Sequence, residues 1–238
     1  MQFASPLQTG RLVQRYKRFL CDIRLDTGET ITATCPNTGS MLGLTTPGAK
    51  VYVSASDSKT RKYAHTWEMI EADLGSGPTL VGINTNHPNA LVTEAIQAGA
   101  IPELKGFASL RREVKYGLNS RIDILLEGGP EGRGCYVEIK NVHLMRKPGL
   151  AEFPDSKTER GVKHLGELSN MVAEGHRAVM VYLVQRADAE HFTLARDIDP
   201  VYAAAYAKAA ASGVEMLCYR CRLTPEAIAV ERQIDIAG

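Results

Sequence analysis

Apolar and polar positions alternate in short runs over the first third of the chain, and then the period changes. Residues 1–82 hold five or six such runs, each ended by turn residues, with no sustained helical spacing. RLVQRYKRFLCDIRL is followed by Asp26-Thr27-Gly28-Glu29 and then TITATC, a hairpin signature. The loop CPNTGSMLGL and the turn Pro47-Gly48 precede an alternating run, AKVYVSAS. Residues 63–71 and 79–83 give two further strands around Gly75-Ser76-Gly77-Pro78. This density of strands predicts a small β-barrel over residues 1–83, and the OB-fold is the commonest such barrel among nucleic-acid binders.

From Asn84 helices and strands alternate, which marks a second domain over residues 84–238. Pro88-Asn89 opens a helix, with proline in the first turn and Gly99 just past the end. Leu91, Ala95 and Ala98 form its apolar stripe, and Glu94 borders that stripe, either facing a site or exposed on an amphipathic helix. A strand over residues 111–116 follows. Two apolar runs, residues 121–127 and 135–142, then flank GGPEGRG, which has the composition of a hairpin loop. Ser156-x-x-Glu159 has capping-box spacing before a helix whose Val162, Leu165, Leu168 and Val172 share one face. Arg160, Lys163 and His164 crowd the polar side of that helix. AVMVYLVQR is almost wholly apolar, as a central strand covered on both faces must be. Asp199-Pro200 caps a last helix closed by Gly213, and VEMLCYRCRL is a final strand. The order from residue 88 is α, β, β, β, α, β, α, β, a mixed-sheet α/β (α+β) domain.

The hairpin carries the candidate chemistry. Side chains alternate along a strand, so Arg121, Asp123 and Leu125 share one face of the first run, and Glu138 and Lys140 one face of the second. Asp123, Glu138 and Lys140 thus stand inside apolar strands at positions from which they can converge. A buried charge without a partner costs several kcal/mol, so these three need each other or a metal ion.

Composition and charge narrow the function. With 238 residues, 44% of them hydrophobic, the chain can fill one large or two small cores. No run approaches the roughly 18 apolar residues of a membrane helix, and the first residues lack a signal-peptide core, so a cytoplasmic location is expected. Five scattered cysteines argue against a disulfide framework, and Cys218 and Cys221 read as small buried residues. A net charge of +1 conceals basic clusters over residues 11–18, 59–62, 111–115 and 157–163. In the barrel Arg15, Lys17, Arg18, Arg61 and Lys62 interleave with Tyr16, Phe19 and Trp67, offering phosphate contacts and stacking faces; Phe19 and Trp67 have the alternative of filling the barrel. Arg121, Arg160 and Lys163 are the phosphate-contact candidates of the second domain. No Walker A, G-x-G-x-x-G or G-x-S-x-G pattern supports a nucleotide- or sugar-binding enzyme.

Asp123, fourteen intervening residues and then Glu138-x-Lys140 resemble the PD-(D/E)xK motif of restriction-endonuclease-like nucleases, with Ile122 where those often carry proline. In that reading Asp123 and Glu138 hold one Mg²⁺ or Mn²⁺ beside the Ile139 carbonyl, helped by Glu94, and Lys140 orients the attacking water. A cross-strand ion pair of Asp123 with Lys140, without catalysis, is the alternative.

GRLVQRYKRFL, CPNTGSMLGL, Trp67-Glu68, NSRIDILLE, YVEIKNV, AEFPDSKTERGVKHL and GHRAVMVYLVQR together resemble the sugar fermentation stimulation protein A family, over essentially the whole chain. The resemblance implies an OB-like N-terminal domain, a nuclease-like second domain, DNA binding with little sequence preference and a regulatory link to sugar metabolism. Two functions remain open: a metal-dependent nuclease, or a non-enzymatic DNA-binding regulator in which the acidic cluster is inherited architecture. Carboxylates facing a phosphate repel it unless a cation intervenes, which favours the first.

Overall fold

The computed structural model describes residues 1–75, 77–117, 120–129 and 132–237. Five strands make the N-terminal barrel: β1 Gln8–Tyr16, β2 Leu20–Leu25, β3 Thr30–Thr34, β4 Lys50–Ala55 and β5 His65–Ala72. β1 pairs antiparallel with β2 and β4, β2 with β3, and β4 with β5. A parallel contact of β3 with β5 shuts the ring, which gives the strand order of an OB-fold. Alternation sends Leu12, Ile23, Val51, Val53 and Ile70 inward around a fully buried Trp67. The Trp67 indole donates to the Met69 carbonyl at 3.0 Å, the partner a buried ring N–H requires. Trp67 is therefore core and offers no stacking face, whereas Phe19, on the turn between β1 and β2, is 50% exposed. β1 and β2 approach so closely at Gly10 that a Cβ there would lie 2.5 Å from the Arg24 carbonyl oxygen.

β6, Thr79–Gly82, carries the chain out of the barrel, and the Gly82 N–H donates to the Gln185 carbonyl at 2.9 Å. The second domain runs α1 Pro88–Gln97, β7 Ser109–Tyr116, β8 Ser120–Glu127, β9 Cys135–Val142, β10 Leu144–Lys147, β11 Leu150–Phe153, α2 Glu159–Ala173, β12 Arg177–Val184, β13 His191–Leu194, α3 Pro200–Ala211, β14 Glu215–Leu223, β15 Ile228–Gln233 and β16 Asp235–Ile236. Its main sheet has the order β15-β14-β12-β9-β8-β7, with β9, β12 and β14 parallel. β12 sits at the centre and is buried along almost its whole length, as its unbroken apolar run predicts. On one face Leu165, Leu168 and Met171 of α2 and Tyr202 of α3 pack on Met180 and Tyr182. On the other, Leu91, Val92 and Ala95 of α1 pack on Val137, Val179 and Val181, in a cluster that Tyr52 and Met69 of the barrel also join.

The structure departs from the sequence pattern in four places. β10, β11, β13 and β16 form a separate four-stranded sheet where only loops were expected. Met1 to Phe3 leave the barrel and lie along the second domain, with Gln2 bridged to Ala227 and the Phe3 N–H on the Glu226 carbonyl. The N-cap of α2 is Thr158, whose hydroxyl accepts from the Gly161 N–H, while Ser156 bonds Asp155 instead of forming a capping box. His164 is buried, not on the solvated side of its helix. Pro130 and Glu131 of the hairpin loop GGPEGRG lie outside the described residues.

Candidate functional site

Among the described residues β8 and β9 are hydrogen-bonded neighbours only at residues 124–126 against 135–137. Beyond that stretch they part, β8 staying with β7 and β9 with β12. Asp123 and Glu138 are the first residues past the paired stretch, on opposite prongs of this fork. The Asp123 side chain takes over from the ladder: its Oδ2 accepts the Ile139 N–H at 2.8 Å, and its Oδ1 accepts from the Asn89 amide of α1 at 2.9 Å. Glu138 Oε1 accepts from Lys140 Nζ at 2.7 Å and from His164 Nδ1 of α2. Arg160 Nε donates to His164 Nε2 at 3.3 Å, so the tautomer that satisfies both contacts carries its proton on Nδ1. Among the described residues the buried Glu138 Oε2 has no hydrogen-bond partner.

The two carboxylates are tuned in opposite directions. Burial raises the pKa of Asp123 and the charge of Glu138 raises it further, against the Ile139 N–H and the Asn89 amide. Burial also raises Glu138, but the hydrogen bond from His164 and the charge of Lys140 outweigh it and hold it below the usual carboxylate range.

A cavity of about 390 Å³ opens onto the fork, lined by Asn89, Glu113, Asp123, Glu138, Lys140 and His164 among others. A neighbouring cavity of about 620 Å³ shares Glu113, Arg160 and His164 with it and adds Lys115, Arg121 and Lys163. Asp123, Glu138 and Lys140 are thus brought together, and Arg121, Arg160 and Lys163 stand beside them. Glu94 is not: it is exposed and pairs with the Met1 ammonium at 2.8 Å, so the helical carboxylate expected at the site points elsewhere and Asn89, in the first turn, faces Asp123 instead.

The barrel's basic residues line neither cavity. Arg15 Nη2 donates to the carbonyls of Arg18, Asn37 and Gly39 at 2.8, 2.8 and 3.0 Å, and Arg18 grips the Thr38 carbonyl, so both brace the loop after β3. Arg61 bonds the Thr66 hydroxyl, Lys62 lies over the Tyr63 ring and Lys17 is exposed in the β1–β2 turn. That loop reaches the second domain through Asp155, which accepts from the Met41 N–H at 3.0 Å and lies 3.3 Å from His143 Nε2. Thr85, which lines the smaller cavity, bonds the Pro36 carbonyl, so the braced loop borders the site. Glu68 ties the connection down by accepting from Ser54 of β4 at 2.6 Å, Asn84 at 2.7 Å and His87 at 2.7 Å.

Asn89, Glu113 and His164 are site residues the sequence reading missed. His164 lies four residues before Leu168 and seven before Met171, so its place on the buried face was present in the helical period.

A model of the sugar fermentation stimulation protein RE domain matches residues 86–227, and one of the SfsA N-terminal OB domain matches residues 13–83. The chain belongs to the sugar fermentation stimulation protein family. Relatives named sugar fermentation stimulation protein homolog, from Brucella ovis and Brucella melitensis, are each 57% identical over 228 residues, 96% of this chain and 94% of theirs. The fold is similar to a solved structure of Pyrococcus furiosus SfsA in complex with Ca²⁺, with a TM-score of 0.87 and 26% identity, over 100% of this chain and 98% of that one.

The donor set fits a hard divalent cation. Two carboxylates of opposite tuning meet at the fork, and one has an unused buried oxygen. In a strand the N–H and C=O of one residue point to the same edge, so the Ile139 carbonyl faces the fork as its N–H does. Among the described residues no three His, Cys, Asp or Glu side chains are grouped so that they could hold a metal ion. The two carboxylates could serve only an ion such as Mg²⁺ or Mn²⁺, which is bound through one or two carboxylates and keeps several waters.

Proposed function

We propose that the protein is a metal-dependent phosphodiesterase acting on nucleic acid, DNA foremost, with little sequence preference. The observation that carries this reading is the meeting of Asp123, Glu138 and Lys140 at the fork, beside a cavity lined by Lys115, Arg121, Arg160 and Lys163. Asp123 and Glu138 are the residues that would hold Mg²⁺ or Mn²⁺. A bound ion supplies Lewis acidity toward the phosphate and lowers the pKa of a water. Lys140, anchored on Glu138, offers its remaining N–H donors to orient that water and to meet developing negative charge. His164 and Arg160 hold Glu138 in place from α2. The cations of the larger cavity grip backbone phosphates, which explains low sequence preference, since phosphates carry no base information.

The link to sugar fermentation carried by the relatives' name then runs through nucleic acid, because the larger cavity is lined largely by charged side chains, most of them basic. Among the described residues no helix is long and apolar enough to cross a membrane, and all five cysteines are free and buried; we place the protein in the cytoplasm, with its substrate.

The test is to incubate the protein and its Lys140→Ala variant with single-stranded, duplex and branched DNA and with RNA, in Mg²⁺, in Mn²⁺ and in EDTA. Cleavage by the unmodified protein in metal alone, lost in the variant, supports the reading. Tight, salt-sensitive binding with no cleavage of any form would leave only a DNA-binding protein.

A further inference from the structure

Glu113 is a glutamate within β7, set between Arg112 and Val114, which pair with Ile124 and Ile122 of β8. The register therefore puts Glu113 opposite Asp123. Its backbone is left-handed, with φ +56, a conformation that non-glycine residues seldom adopt inside a strand. Three of its near neighbours, Arg111, Arg112 and Lys115, are basic, yet among the described residues Glu113 makes no ion pair. Its Oε1 instead accepts from Asn89 Nδ2 at 3.0 Å, and the same nitrogen donates to Asp123 Oδ1 at 2.9 Å. One amide NH₂ thus sits between two carboxylates, where a cation would also be held.

A second observation points to a ligand at this place. Glu138 is 2% exposed and lines the same cavity, yet among the described residues its Oε2 has no hydrogen-bond partner. A buried carboxylate oxygen left unpaired is costly, and a cation is the partner that Asp123 and Glu113 can share with it. Glu113 is exposed, and among the described residues no three such side chains are grouped to hold an ion, so ligation requires the Glu113 side chain to swing from Asn89 toward Glu138.

We propose that Glu113 is the third acidic ligand of the divalent-cation site, donated by β7, and that the Asn89 amide holds Glu113 and Asp123 together until the ion replaces it. This rests on the metal-site reading given above and assigns the place in which Glu94 was expected to a residue on a different element.

The experiment is a titration of the full chain with Mn²⁺, in the absence of nucleic acid, followed by melting temperature, which rises with ln(1 + [M]/Kd). Four proteins are compared: unmodified, Asp123→Asn, Glu113→Gln and Glu94→Gln. We expect Glu113→Gln to melt normally without metal but to bind Mn²⁺ about tenfold or more weakly, Asp123→Asn to show no metal response, and Glu94→Gln to match the unmodified protein. Repeating the titration in about 0.5 M KCl, where exposed charges are screened within a few Å, separates a ligand from a nearby charge. A tenfold deficit that persists in salt supports direct ligation. If Glu113→Gln binds as tightly as the unmodified protein, or the deficit vanishes in salt, the assignment of Glu113 is overturned while the metal site stands. If the unmodified protein shows no response, the metal site itself fails and this assignment with it.

Discussion

The Asp123 carboxylate accepts the Ile139 N–H at the point where their two strands separate. One side chain therefore does two jobs: it satisfies a backbone donor that the ladder has released, and it places a charge at the mouth of the fork. The two roles come apart on substitution. Asp123→Asn keeps an acceptor for the N–H and removes the repulsion toward Glu138, so in EDTA it should melt a few degrees higher than the unmodified protein. Asp123→Ala leaves the N–H unpaired and should fall below Asp123→Asn by about 1–3 kcal/mol in denaturant unfolding.

Acid should expose the opposite tuning of the carboxylates. Glu68, Glu138 and Asp155 are held below their ordinary values, in each case by hydrogen bonds that outweigh burial. Their contribution is present above the unfolded carboxylate range and is lost as pH falls through it and on to their folded values. Asp123, raised by burial, contributes in the other sense and gains as pH falls. Metal-free stability should therefore drop as pH is lowered from 5 toward 3, less steeply in Asp155→Asn and more steeply in Asp123→Asn. Urea midpoints at several pH values measure this; an Asp155→Asn slope equal to that of the unmodified protein would contradict it.

Arg15 and Arg160 should separate structure from nucleic-acid contact. Arg15 serves three carbonyls of the barrel, so Arg15→Ala should cost about 1–3 kcal/mol of stability. Arg160 lines both cavities, and Arg160→Ala should weaken DNA binding alike for unrelated sequences and reduce the log-log salt slope by about 1. Fluorescence anisotropy across a salt series gives both quantities.

Glu94 pairs with the Met1 ammonium in the open, at 61% exposure, and such pairs contribute about 0–1 kcal/mol. Glu94→Ala should change stability no more than that and should leave any nucleic-acid cleavage at its normal rate, measured under saturating metal.

Asp123, Glu138 and Lys140 were legible in the sequence because a charge in an apolar strand of period two is conspicuous, and β12 because no residue in it after Arg177 is charged. Glu94 misled because its helix meets the site with its first turn. Five residues of helix separate it from Asn89, a rotation of roughly 140° beyond a full turn, which carries it off the face that Asn89 presents. Glu113 could not be read without the register of β7 on β8, which no local pattern fixes. β10, β11, β13 and β16 are four residues or fewer, too short for alternation to declare itself.

Glu68 fastens β4 to the segment that leads into α1, and Tyr52 and Met69 bury the same seam. The barrel and the fork are consequently held at one angle and one separation. The cavity at the fork takes part of its rim from this connection, through Thr85 and Asn86, so the shape of the site is inherited from the packing of one domain on the other and is complete only when both have folded.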